Sequence, residues 1–137
     1  MSTDDCLAVA RRIYDAFARR DIPAFLALLS EDIDWSQPTN VPIPTSGAWP
    51  GLAGVQEWLR RGNEAEEIAV LEPREFIGTG ETVAVYGHTI VVARPTGRRY
   101  ATDFVHWMQI REGKIVRFQE FFDTYAAAQA FAQDVVA

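Results

Sequence analysis

Cysteine is nearly absent from this sequence: Cys6 stands alone among 137 residues. A single thiol excludes an internal disulfide and every paired-cysteine metal or redox motif, and it fits a reducing compartment. Basic runs are missing as well. No more than two Lys or Arg occur in succession, and the formal charge is −6 with a pI near 4.8. Phosphate binding relies on clustered cations that release counterions, so nucleic acid is not expected as a partner. No apolar run approaches the roughly 20 residues that cross a bilayer. The opening MSTDDCLAVARR carries acids where a signal peptide has its basic stretch. These absences lead to the expectation of a cytoplasmic protein with no membrane partner.

What is present suits an ordinary globular core. A chain of 137 residues fits one domain spanning residues 1–137. The aromatic share of 12%, with four Trp and eight Phe, is enough to line a pocket or an interface as well as fill a core. Leu7, Ala10, Ile13, Tyr14 and Phe17 recur at helical spacing behind Ser2 and two early acids, which cap a long first helix. Asp21 and Pro23 start a short second helix through Leu29. Ile33 to Gln37 alternates as a strand, and a proline-rich loop follows in which Trp49 either closes over a pocket or packs along its own loop.

Val55, Trp58 and Leu59 predict a third helix ending near Arg61-Gly62, with Asn63 to Glu67 as a solvated linker. Strands are predicted at Arg74 to Ile77, Thr82 to Ala93, Arg99 to Gln109 and Ile115 to Phe122, forming an antiparallel meander. Asp123-Thr124 caps a final helix, TYAAAQAFAQDVV.

The last two strands carry the candidate chemistry, and the turn at Arg111-Glu112-Gly113 decides which side chains share a face. A two-residue loop at Glu112-Gly113 sets His106 and Glu120 on opposite faces. A three-residue loop with a G1 bulge puts them on one face, and this is the register we choose. Phe104, His106 and Met108 then share the inner face with Phe118, Glu120 and Phe122. His106 and Glu120 become diagonal neighbours about 7 to 8 Å apart at the backbone. Val105, Trp107 and Phe121 fall on the outer face, which suits a dimer contact. A carboxyl group in apolar surroundings is hard to ionise, which brings its pKa toward working pH, and a nearby imidazole takes the complementary step. The same pair also fits a buried Glu and His that satisfy each other without chemistry.

The segments YDAFARRDIPAFLALLSEDIDW, GAWPGLAGVQEWL and FVHWMQIREGKIVRFQEFFDT resemble the SnoaL-like branch of the nuclear transport factor 2-like superfamily over nearly the whole chain. The last segment is also similar to the phenazine-biosynthesis A/B proteins, in which a Glu in this setting is the acid/base group. The resemblance implies an α+β fold, a cone-shaped curved antiparallel sheet packed on three N-terminal helices and enclosing one apolar pocket, in a homodimer. SnoaL-like cyclases place a carboxylate fourteen residues after a His on paired strands, the spacing of His106 and Glu120. The resemblance thus implies Glu120 as general acid/base and His106 as its polar partner, although the cyclases use Asp. Against ketosteroid isomerases, Gln37 stands where that family has its base, Ile13 where it has its Tyr donor and His106 where it has its neutral carboxylic acid.

The expected ligand wall comprises Tyr14, Trp35, Gln37, Trp49, Trp58, Tyr86, His88, Phe104, Met108, Phe118 and Phe122. The aromatics among them also fit a plain core. His88 with His106 and Glu120 would form the ligand set of some iron sites, but no spacing supports it, and no metal or cofactor is expected. The expected activity is a cofactor-free acid/base reaction, of isomerase or cyclase type, on a small, largely apolar carbonyl or polyketide-like metabolite. The alternative is a non-catalytic module that binds a small cyclic ligand or dimerises.

Overall fold

The computed structural model describes residues 1–133. Helix α1, Thr3–Ala18, opens with a reciprocal cap. The Ser2 hydroxyl accepts from the Asp5 N–H, and the Asp5 carboxylate accepts from the Ser2 N–H, both at 3.1 Å. It buries Cys6, Val9, Ala10, Ile13 and Ala16 along one stripe. Helix α2, Ile22–Ala27, is capped by Asp21, whose carboxylate accepts from the Ala24 N–H at 3.0 Å. Strand β1 is Leu29–Ser36, helix α3 Gly51–Ala65, and strands β2 to β5 are Glu66–Thr79, Thr82–Ala93, Arg99–Arg111 and Lys114–Phe122. Helix α4, Thr124–Phe131, is capped by Asp123 as expected. It stops short of the predicted end, and Asp134 to Val136 lie outside the described residues.

Three boundaries differ most from the sequence reading. Helix α2 ends at Ala27, so Leu29, read as helix, instead opens β1 four residues before the expected Ile33. Helix α3 passes through Gly62 to Ala65, because Arg60 bonds Glu57 and Glu64 and Arg61 bonds Glu57 across its solvent face. The acids read as linker are therefore helix partners and the start of β2. That strand begins at Glu66 instead of Arg74. Its alternation is masked by two register shifts, at Ile68/Val70 and Pro73/Glu75, which leave Ala69 and Arg74 unpaired and bend the strand. β2 lies at the sheet edge, where Pro73 is tolerated.

The sheet order is β1-β5-β4-β3-β2, open at both ends. β2 to β5 form the expected antiparallel meander, but β1 joins the free edge of β5 in parallel, so the sheet is mixed. The Ile115 N–H donates to the Leu28 carbonyl at 2.8 Å where the two strands meet. The concave face holds the main core, including Ile33, Trp35, Val83, Val85, Phe104, Met108 and Ile110, against α1, α2 and α3. Gly87 lies directly opposite Phe104, and only a glycine leaves room there for the ring: a Cβ would stand 2.3 Å from Phe104 Cζ. No helix among the described residues is long and apolar enough to cross a membrane.

The β4–β5 turn corrects the chosen register. Arg111 pairs with Lys114, and Glu112 and Gly113 both have positive φ, 50° and 79°, so the loop has two residues, as in a type I′ turn. Pairing then shifts: Ile110 faces Ile115, whereas Gln109 faces Arg117, and Val116 is the extra residue of a bulge. The bulge reverses the parity that the two-residue loop imposes. His106 and Glu120 end on the same inner face, directly opposite each other and not diagonal.

Candidate functional site

Three elements assemble the polar centre. α1 presents Tyr14, β4 His106 and β5 Glu120. The Tyr14 hydroxyl lies 2.6 Å from His106 Nδ1, and His106 Nε2 is hydrogen-bonded to Glu120 Oε2. When Nε2–H donates to the ionised carboxylate, Nδ1 accepts from the Tyr14 O–H and the neutral imidazole is fully satisfied. When the imidazole is protonated, the Tyr14 oxygen accepts instead and its proton is freed for a ligand. The geometry of the Tyr14–His106–Glu120 chain is one that can relay a proton by a change of tautomer, with little movement of heavy atoms.

Packing fixes the imidazole. His106 is 5% exposed, with Phe104 stacked on it at 4.2 Å between centroids and Phe118 tilted against it at 4.7 Å. Phe118 in turn stacks on Trp35 at 3.8 Å and 7°, and Trp35 meets Trp58 of α3 at 4.9 Å. Burial, followed by the negative charge of Glu120, holds the Tyr14 hydroxyl above its usual range.

These groups face a cavity of about 90 Å³. Of the residues expected from sequence, Tyr14, Trp35, Gln37, Trp58, Phe118 and Phe122 line it together with His106 and Glu120. Five do not. Phe104 and Met108 lie on the inner face but are buried beneath it, at 1% and 0% exposure, as core. Tyr86 and His88 fall on the other side of the pleat. There the Tyr86 hydroxyl donates to Asp103 at 2.6 Å and His88 Nδ1 lies 2.9 Å from the same carboxylate, which these bonds hold below its usual range. Trp49 is tied into its own loop: its ring N–H donates to the Thr45 carbonyl at 3.1 Å, its backbone N–H donates to Trp35, and Arg61 lies over its ring. His88 therefore cannot join His106 and Glu120, and among the described residues no three His, Cys, Asp or Glu side chains are grouped to hold a metal.

Sequence reasoning missed Glu66. Read as linker, it is the first residue of β2 and lines the same cavity as Glu120. Burial, then repulsion from Glu120, pushes its carboxyl up to about 7. Tyr100, also on the wall, is held above its usual range by burial and by the charges of Glu66 and Glu120. The one signal available for Glu66 was the mid-sequence pair Glu66-Glu67 immediately before Ile68 and Val70, which is also the start of an alternating strand. The cavity adjoins a groove of about 760 Å³, sharing Phe17, Trp58, Glu66 and Ile68 with it. Glu66 stands at the junction of the two.

A family model of the SnoaL-like domain matches residues 10–118. No curated protein matches in sequence. Among solved structures, an NTF2-like protein from Burkholderia xenovorans LB400 is 32% identical, with a TM-score of 0.88 over 96% of this chain and 99% of that one. TerC, co-crystallized with polyporic acid, is 30% identical, with a TM-score of 0.80 over 93% of this chain and 98% of that one. A Pseudomonas putida KT2440 protein provisionally named a polyketide cyclase shares the fold, at 20% identity and a TM-score of 0.73 over 93% of this chain and 98% of that one.

Proposed function

The chain belongs to the SnoaL-like family, and from that premise we propose that it is a cofactor-free acid/base enzyme, of isomerase or cyclase type, acting on a small, largely apolar carbonyl compound. The observation that carries this reading is the Tyr14–His106–Glu120 chain of hydrogen bonds ending at the wall of an aromatic-lined cavity. Glu120 is the group that takes and returns the substrate proton. His106 holds the carboxylate in place and passes charge toward Tyr14 as negative charge develops on the substrate. Screening a panel of cyclic carbonyl compounds by thermal shift, followed by turnover assays on those that stabilise the protein, tests the proposal. Glu120→Gln should abolish turnover and leave fold and binding largely intact, and undiminished activity would sink the assignment.

A second reading, a non-catalytic binding module, is favoured by one observation: His106 and Glu120 already satisfy each other. The same turnover assay separates the two. We also propose a homodimer through the outer sheet face, where Trp107 and Phe121 are 40% and 49% exposed beside Val105. Phe121→Arg should shift sedimentation to the monomer, and an unchanged sedimentation coefficient would reject this face.

A further inference from the structure

The cavity wall holds one acid that neither the packing nor the Tyr14–His106–Glu120 chain uses. Glu66 is the residue at which α3 ends and β2 begins, and its backbone is fixed from both sides. Its N–H donates to the Gly62 carbonyl, and its Cα pairs with Ala93 of β3. The pleat then sends Glu66 and Ile68 to the cavity, while Glu67 between them is exposed. Yet the Glu66 carboxyl makes no hydrogen bond and no ion pair among the described residues. A carboxyl withdrawn from water without a partner carries a desolvation penalty and contributes nothing to the fold, so a structural role leaves it unexplained.

Tyr14, Thr89 and Thr102, hydroxyls on the same wall, are already engaged. Tyr14 bonds His106, and the two threonines donate to the Val70 and Asp103 carbonyls, each at 2.7 Å. Tyr100, held above its usual range, gives up its proton only to a strong base. Glu120 is the opposite case to Glu66, since its carboxylate is bonded by His106. Burial and the charge of Glu120 keep the proton on Glu66 up to about pH 7. Two carboxyl groups in one cavity, driven to different protonation states by their surroundings, divide into an acid and a base.

We propose that Glu66 is a second catalytic residue, the general acid that gives its proton to the substrate oxygen while Glu120 takes one from the neighbouring carbon. In the forward step the C–H bond breaks to Glu120 and its electron pair forms the C=C bond of an enol. The C=O π pair moves to oxygen, which bonds the Glu66 proton. In the return step the Glu66 carboxylate recovers that proton and Glu120 gives its own to carbon, so both groups are reset without a co-reactant. The assignment rests on Glu120 acting as the base argued above. It adds an orientation: the substrate oxygen lies at the junction of cavity and groove, beside Glu66, with the acidic carbon toward Glu120.

Tyr100 and Glu120 face Glu66 from the cavity, with Tyr14 and His106 behind Glu120, and Arg20, Arg60, Glu67 and Arg94 border the groove. A substitution, and not pH alone, therefore identifies the titrating group. The test follows deuterium exchange into 2-tetralone in excess of the buffer rate, from about pH 5 to about pH 9, in wild type and in Glu66→Gln, Glu66→Asp and Glu120→Gln. Wild-type acceleration should fall as pH rises through about 7, where Glu66 loses its proton. Glu66→Gln keeps the shape and has no proton to give. At about pH 6 it should be slower by at least about tenfold, and its profile should run level where wild type falls. Glu66→Asp, which still carries an acid, should keep the fall. A Glu66→Gln variant that matches wild type, or one that is slower but keeps the same fall, would overturn the assignment and leave Glu120 as the base. Exchange undiminished in Glu120→Gln, or none in wild type, would remove the base and this assignment with it.

Discussion

Replacing Glu66 with glutamine should stabilise the protein in alkaline solution and leave it nearly unchanged in mild acid. Burial and the charge of Glu120 push the Glu66 carboxyl from its ordinary value of 4.5 up to about 7. Because the folded state holds this proton more tightly than the unfolded chain does, stability from this group is fully present below pH 4.5. It is lost as pH rises through about 7. The gap from 4.5 to about 7 corresponds to roughly 3 kcal/mol at about 1.4 kcal/mol per pH unit, less what partial solvent access screens. Glutamine keeps the shape and cannot ionise. Urea unfolding of wild type and Glu66→Gln at pH 4.5 and pH 8.5, at one fixed protein concentration, measures the difference. The variant should gain about 2 to 3 kcal/mol at pH 8.5 and close to nothing at pH 4.5. An equal difference at both pH values, or a loss at pH 8.5, would refute the placement of Glu66 as a buried acid.

Three further substitutions probe what holds the site. Tyr14→Phe leaves His106 Nδ1 without its partner and should cost about 1 to 2 kcal/mol in urea unfolding, with a changed imidazole resonance for His106 by NMR. Gly87→Ala drives a methyl to 2.3 Å from Phe104 Cζ and 2.5 Å from the Glu72 carbonyl. It should destabilise the fold by about 3 kcal/mol and, because Phe104 stacks on His106, lower turnover as well. Glu112→Asn places a residue tolerant of the left-handed region at a φ of 50° and should raise stability by about 1 kcal/mol in thermal unfolding.

Most of the architecture was legible because it follows from local periodicity and caps. The α1 stripe, the Asp21 and Asp123 caps and the inner face of β4 need no tertiary information. What escaped was set by bulges. In β5 the buried Ile115 and Phe118 stand three apart, so the alternation changes phase at Val116. A reading that takes loop length as the sole determinant of register must then choose the wrong loop to reach the right face. In β2 two such shifts, and a proline, conceal a strand of 14 residues. Glu66 was lost with it, since a carboxyl next to another at a helix end reads as solvated unless the strand behind it is seen. His88 and Tyr86 were misassigned because residue type, and not pleat parity relative to His106, put them in the pocket. Unpaired donors such as Trp35 Nε1 belong to three-dimensional structure alone.

The central claim is that Glu120, held by His106, moves a proton at a carbon next to a carbonyl inside this cavity. Deuterium wash-in at the acidic carbon of 2-tetralone, followed by NMR in deuterated buffer, measures that step without knowledge of the natural substrate. Wild-type protein should accelerate exchange over buffer alone and Glu120→Gln should fall to the buffer rate. Acceleration that survives in Glu120→Gln, or none in wild type at ligand concentrations that saturate the cavity, would contradict the account.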